Sequence, residues 1–422
     1  MRFHLFVAAA FVAGPAAVRA QDGSPAACVD ADGDGWTDCD GDCCDGPGDC
    51  GGAAAAEVNP GAFEVPGNAA DDDCNAATPD PGADPCDAVL ASNSSDPLDY
   101  ARALDLCSFT VESPPPADRR WGVISAAFAL ADGTGTPYAA SHSIRPSFGS
   151  NVGPQGGFRM AVLSSGNAAA LGQTNPVWIN PQEVGVDTAL TSSPPPDWLA
   201  AHGGRPPVTP GCPAADAGST AFDPIVLKLR VRVPTNARSF SLKSLVYSSD
   251  YPEYVCSPYV DYFVALLDSL AGRRGSRHPN PADKNLAVYD LAPSRRGLAH
   301  PVGVNLALRG LLPHCKNGTV GCGQGAVLGN VSTCLATTDL VGTGFDRLNP
   351  NAKFTGEVGY CDANNLLGAA TGWWTLRGNV QPGETMELRL AIWDTADAYY
   401  DSVVLLDGFQ WSVAPAVAGA RP

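Results

Sequence analysis

The sequence predicts a mainly β protein, a β-sandwich (jelly-roll-like) domain with long loops preceded by a small disulfide-rich, metal-stabilised acidic module. Three observations predict the sandwich. Leu227, Leu229, Val231 and Val233 alternate with Lys228, Arg230 and Arg232, and Met386, Leu388, Leu390 and Ile392 alternate with Glu387, Arg389 and Ala391. Period two of this kind marks antiparallel strands with one buried face. The run Val403 to Leu406 is apolar at every position and reads as a central strand. The 37 prolines and 46 glycines argue against a helical or doubly wound fold and for short strands joined by irregular loops.

From the N-terminus, Arg2, the apolar stretch Leu5 to Val12 and the small residue Ala20 read as a cleaved signal peptide over residues 1–20, with mature protein from Gln21. A lipoprotein signal ending at Cys28 is the lesser reading, since Pro25 stands where an aliphatic residue is normally found. No other segment approaches the ~20 apolar residues of a membrane span.

Residues 21–77 form the acidic module. Thirteen Asp and two Glu fall within residues 21–80 with no Lys or Arg, so nearly all of the chain's net charge of −18 is local. Such a surface excludes nucleic acid as a partner. It also prevents a conventional core, so bound cations and disulfides must hold the segment together. Asp30, Asp32, Asp34 and Asp38 occupy positions 1, 3, 5 and 9 of a loop, with Gly35 at the sharp-turn position 6. That pattern suits a hard cation such as Ca²⁺. Trp36, at position 7, offers its carbonyl. Gly41 replaces the usual twelfth-position glutamate, and Asp42 or Asp45 is expected to close the shell, with Glu64, Asp71 and Asp73 arriving from the module's second half. The competing reading is a solvated acidic spacer.

A Pro- and Asp-rich linker, centred on Thr78 to Pro85 within residues 78–95, precedes the β domain at 96–413 and a tail at 414–422. Asp96 and Pro97 predict one short helix continuing over Leu98 to Leu106. Residues 188–220 and 270–300 read as loop insertions. Six of the fourteen cysteines lie in the module and eight after it, so each unit is expected to close its own bridges, with connectivity left open.

In the β domain, Asp250, Glu253 and Asp261 in one stretch, and Asp394, Asp397 and Asp401 in another, concentrate carboxylates near aromatics. They predict capped strand ends, a second cation site centred on Glu253, Asp261, Asp394, Asp397 and Asp401, or a carboxylate pair for glycoside hydrolysis. No nucleophile elbow, zinc-protease helix, P-loop or dinucleotide fingerprint occurs. His142, His202, His278, His300 and His314 are read as solvent-facing loop residues. Trp373, Trp374, Tyr399 and Tyr400 are read as core or rim residues before a sugar-stacking platform.

Two resemblances follow from longer motifs. D-A-D-G-D-G-W-T-D-C-D-G-D-C-C-D from Asp30, followed by V-N-P-G-A-F-E-V-P-G-N-A-A-D-D-D-C-N from Val58, resembles the MopE-type metal-binding motif of bacterial surface proteins. Cys44 stands where that motif has an aspartate, Val65 where it has a cysteine, and G-P-G-D-C-G-G is inserted. A Cys44–Cys50 pair within the insertion would rearrange the motif's bridges. R-M-A-V-L-S-S-G-N from Arg159, S-S-D-Y-P-E-Y-V from Ser248, V-D-Y-F-V-A-L-L from Val260, K-N-L-A-V-Y-D from Lys284 and the stretch Val380 to Trp411 resemble the bacterial choice-of-anchor L domain. The resemblance implies an exported, mostly β domain without an established activity, often followed by an anchor of varying type. The closing S-V-A-P-A-V-A-G-A-R-P contains no cell-wall sorting motif. The expectation is therefore a secreted or cell-surface bacterial protein, stabilised by Ca²⁺ and disulfides, that acts by binding or adhesion. An extracellular polysaccharide or another surface protein is the expected partner class. Polysaccharide binding is the first alternative and a secreted hydrolase the second.

Overall fold

The computed structural model describes residues 28–46, 49–51, 53–78, 85–182, 185–212, 218–272, 277–290, 299–324, 328–329, 332–347, 361 and 368–422. The expected signal peptide and residues 79–84 of the expected linker lie outside these. Among the described residues, the two main sheets of the large domain are built chiefly from β1 (Gly122–Ala129), β2 (His142–Arg145), β3 (Met160–Ser164), β4 (Ala221–Arg232), β5 (Ser239–Ser248), β6 (Tyr262–Asp268), β7 (Trp374–Asn379), β8 (Thr385–Thr395), β9 (Ser402–Ser412) and β10 (Gly419–Arg421), with Val288–Asp290 and Ala299–Pro301 pairing separately. Both main sheets are antiparallel. One has the order β10-β7-β5-β9-β3-β2, with Ala369–Ala370 added on β5. The other has the order β1-β4-β8-β6, with Thr191–Ser192 added on β4.

The alternating runs pair with one another, Leu229 opposite Leu388 and Leu227 opposite Leu390. Their apolar members enter a core shared with Phe240, Leu242, Leu376, Val404 and Leu406 of the other sheet. The uninterrupted run in β9 is buried on both faces. Val404 and Leu406 point into that shared core, while Val403 and Leu405 join Met160, Val162, Leu245, Tyr247, Phe148 and Phe345 in a second cluster on the outer side. A strand covered twice needs apolar residues at every position, which is why this one does not alternate.

Helix α1 covers Pro97–Arg102, with the Asp96 side chain accepting the Leu98 amide at 2.9 Å. It is shorter than the expected reach to Leu106. Asp105 adopts φ of 69°, and the Leu106 amide donates to the Ala101 carbonyl, a left-handed closure that turns Leu104 and Leu106 into the core. A second helix, α2 (Pro196–Ala201), lies in the segment read as a loop insertion and brings Trp198 against Tyr262 and Trp393 at 5.6 and 5.7 Å. Two histidines also differ from expectation. His300 is fully buried, and His142 lies in β2, stacked on Phe128 at 4.1 Å and hydrogen-bonded to Tyr100 at 2.6 Å. Burial pushes His142 down to about 4, so it is neutral.

All fourteen cysteines are paired. Cys28–Cys39, Cys43–Cys74 and Cys44–Cys50 close the module, and Cys86–Cys107, Cys212–Cys256, Cys315–Cys334 and Cys322–Cys361 close the large domain. No bridge crosses between the two units. No helix among the described residues is long and apolar enough to cross a membrane.

Buried acids are a recurrent feature. Asp87, fully buried, accepts the amides of Phe158 and Arg159, and Asp407, fully buried, accepts those of Gln155 and Gly156. Burial still pushes Asp407 up to about 7, against the help of those amides and with a further push from Asp105. Burial, with Asp87 beside it, takes Asp105 to about 6. The folded protein thus holds these protons more tightly than the unfolded chain, whose carboxyls titrate near 4. Their stabilising contribution is complete below pH ~4 and is lost as pH rises through about 7. We predict that Asp407→Asn, neutral throughout, gains stability relative to the parent as pH goes from about 4.5 to 7.5. Urea denaturation of both proteins across that range checks this, and parallel pH profiles would contradict it.

Candidate metal centre

The module has almost no core of its own, only Cys44, Ala55 and Val58 with Cys50, Ala53 and Cys74 around them. Its first loop is instead organised by aspartates that accept main-chain amides. Asp30 takes those of Gly33 (2.7 Å) and Gly35 (3.0 Å), Asp32 that of Asp34, Asp34 that of Trp36, Asp42 that of Cys44, and Asp45 that of Ala31. Gly35 sits at φ of 91°, the left-handed turn the loop needs and a side chain would resist. Each acid spends one oxygen or both on the loop's own backbone, and that turns the rest of the set toward a shared space.

Two overlapping triads result, Asp30 with Asp32 and Asp45, and Asp32 with Asp34 and Asp42, the ligand oxygens of each lying within 4.8 Å of one another. The Asp32 and Asp42 Oδ2 atoms are buried with no hydrogen-bond partner, although Asp42 is only 8 % exposed. Burial pushes Asp34 up to about 6, despite bonds from the Trp36 amide and Asn59, and also raises Asp42, with Asp32 and Asp45 adding to the effect. A carboxylate set of this kind, short of donors and mutually repelling, is chemically suited to a hard, oxygen-preferring cation.

The remaining predicted ligands are placed differently. Thr37 caps a 3₁₀ turn over Asp38–Asp40, which carries Asp38 to the surface beside the Cys28–Cys39 disulfide and away from the two triads. The Trp36 indole is 2 % exposed, packs near Gly61 and lies under the Arg119 guanidinium at 5.3 Å. Glu64, Asp71 and Asp73 form a triad of their own and do not complete the first shell. From the module's second half Asn59, not an acid, reaches Asp34, at 2.7 Å. Burial pushes Glu64 up to about 7, and the Asp73 amide bond does not offset it.

Asn59 also joins the module to the sandwich. It is fully buried, and its Oδ1 accepts the Gly61 amide (3.0 Å) and the Thr235 hydroxyl (2.6 Å). Around it, Asn236 exchanges two bonds with the Phe63 backbone, Arg238 pairs with Glu57, and Arg119 donates to the Gly35 carbonyl. A cavity of about 550 Å³ lies along this junction, lined by Phe63, Glu64, Asp73, Arg120, Trp121 and Trp411 among others.

In the large domain, Asp250, Glu253, Asp261, Asp394 and Asp401 are each at most 4 % exposed. Asp397 is half-buried and accepts the Tyr399 amide. Asp223, which the sequence reading did not select, stands with Asp394 and Asp401. Its one local signal is an Asp-Pro step at the start of a strand whose next residues, Ile225 to Leu227, are apolar. Trp374 and Tyr400 are buried, Trp373 packs on the outer cluster, and Tyr399 is exposed. No protein-family model, curated protein or solved structure matches the chain.

Removing the fully buried Asn59 takes one partner each from Asp34, Thr235 and the Gly61 amide at a half-buried junction. Asn59→Ala is therefore expected to destabilise the protein by about 2–3 kcal/mol, from unsatisfied groups that cost ~1–3 kcal/mol each. Thr235→Val, which removes one contact, should cost less than half of that. A smaller effect from Asn59→Ala than from Thr235→Val in urea unfolding would show that Asn59 does not hold the junction.

Proposed function

We propose that this chain is an exported bacterial binding or adhesion protein, in which Ca²⁺ and disulfides hold an acidic N-terminal module against a β-sandwich. The carrying observation is the pair of buried, donorless oxygens Asp32 Oδ2 and Asp42 Oδ2 among Asp30, Asp34 and Asp45. Carboxylates in that position demand a positive charge, and no Lys or Arg occurs in residues 21–80. Asp30, Asp32, Asp34, Asp42 and Asp45 supply the oxygens, and loop carbonyls and water make up the six to eight a calcium ion takes. Glu64, Asp71 and Asp73 offer a second, smaller oxygen set. Seven disulfides favour an oxidising compartment, and both family resemblances point to the bacterial surface.

A second reading, polysaccharide binding, is favoured by the junction cavity, where Trp121 and Trp411 meet edge to face at 6.2 Å beside Glu64, Asp73 and Arg120. Aromatic rings beside hydrogen-bonding acids suit sugar faces and hydroxyls. Glycan-array binding lost in Trp121→Ala and Trp411→Ala would support this reading over a purely protein-directed one.

For the metal, Asp32→Asn with Asp34→Asn should weaken Ca²⁺ binding in calorimetry at least tenfold. Neutralising Asp22 and Asp80, outside the motif, should leave it unchanged. Equal losses from the two pairs would mean diffuse counterion attraction and would remove the defined site.

A further inference from the structure

At one end of the sandwich, five carboxylates from both sheets meet in the interior. Asp223 in β4, Asp261 just before β6 and Asp394 in β8 belong to one sheet, and Asp250 just after β5 and Asp401 just before β9 belong to the other. None is more than 4 % exposed. Donors to them are few. Asp261 accepts the Ser402 hydroxyl at 2.7 Å and the Thr395 amide at 3.4 Å. Asp401 accepts the Val186 amide at 3.2 Å, Asp250 the Ser248 hydroxyl at 3.4 Å with the Asp261 amide beside it, and Asp223 Oδ1 the Thr188 amide and hydroxyl with the Leu190 amide beside it. Both oxygens of Asp394 and Oδ2 of Asp223 lie buried without a partner. Ser165, whose oxygen accepts the Ser402 amide, is the neutral side chain that eases the charge on Asp394.

Elsewhere the fold supplies more to its acids. Asp407 receives three main-chain amides, Asp87 receives two although its Oδ1 is left without a partner, and the half-buried Asp197 is held by Arg389 and Lys284. Here burial raises all five carboxyls, and nearby acids add to it: Asp187 beside Asp223, Asp397 beside Asp250 and Asp261, and otherwise one another. The surroundings are also kept bare, since a Cβ at Gly166 or Gly185 would strike the Asp401 carboxylate. Asp261 lies within bonding reach of both Asp250 and Asp394, contacts between two carboxylates that require a proton or a cation. Protons can join neighbours along this chain. A divalent cation neutralises two charges at once and takes several oxygens, and the side-chain oxygens here are carboxylates with Ser and Thr hydroxyls, the set a hard cation prefers.

We propose that Asp223, Asp250, Asp261, Asp394 and Asp401 hold a divalent cation of the calcium class that ties the two sheets together at this end. Without the ion the five acids spread along a chain through Asp261, and no three of them bring ligand oxygens within 4.8 Å of one another as the module's triads do, so binding would draw them inward. This site lies in the sandwich and does not depend on the module's site.

Calcium content of the full, disulfide-bonded chain after removal of free metal tests it. Asp261→Asn with Asp394→Asn should lower the bound Ca²⁺ by about one equivalent and abolish the fall in melting temperature that a chelator causes in the module variant Asp32→Asn, Asp34→Asn. Should the double variant fail to fold, Asp223→Asn alone should weaken Ca²⁺ binding at this site at least tenfold. In the native fold, terbium luminescence should include a Ca²⁺-competed component that survives the module substitutions. A module variant that binds no Ca²⁺, by calcium content and by terbium luminescence alike, would overturn the proposal. Loss of the module's calcium alone would leave it standing.

Discussion

Buried negative charge is the constraint on which the rest of this structure depends. A carboxylate taken out of water needs donors, a cation or a proton, and each choice shapes the chain around it. Asp87 and Asp407 take main-chain amides, which shapes the loop at 155–159. Asp197 takes Arg389 and Lys284, which fastens α2 to the outer face of the second sheet. The module's triads and the five acids between the sheets have neither in sufficient number, and these are the places where a bound cation is inferred.

The same constraint explains why the module is docked. Fifteen acids in sixty residues cannot form an apolar core, so the segment borrows one. Trp36 is covered by Arg119 from the sandwich, Phe63 packs on the main core, and Asn59 couples Asp34 to Thr235. Arg119 and Arg238 bring positive charge to a segment that has none. The three internal disulfides restrict the unfolded module, the longest of them spanning 31 residues between Cys43 and Cys74. Docking also creates the cavity beside Trp121 and Trp411, whose walls come from both units.

Some of this was legible in the sequence. Strand identity in β4, β8 and β9 was readable because side chains alternate faces, so burial maps onto period two or, where both faces are covered, onto an unbroken apolar run. The core of the first acidic site was readable because Asp30, Asp32 and Asp34 lie within five positions, close enough for loop geometry alone to bring them together. Even there, Asp38 left the set, since Thr37 starts a tight turn that the spacing rule does not contain.

What the sequence by itself determined was therefore local: a mainly β chain, an acidic loop whose aspartates cluster, and an even division of cysteines between two units. The tertiary structure alone decided which partners meet across long separations. It set the pairing of Cys43 with Cys74 and of Cys322 with Cys361, the burial of His142 against Phe128, and the separation of the Glu64, Asp71 and Asp73 triad from the first loop. It also brought Asp223 beside Asp394 and Asp401. Residues 171 positions apart become neighbours only when β4 and β8 pair in register, and register is set by the packing of a whole sheet face against the other sheet.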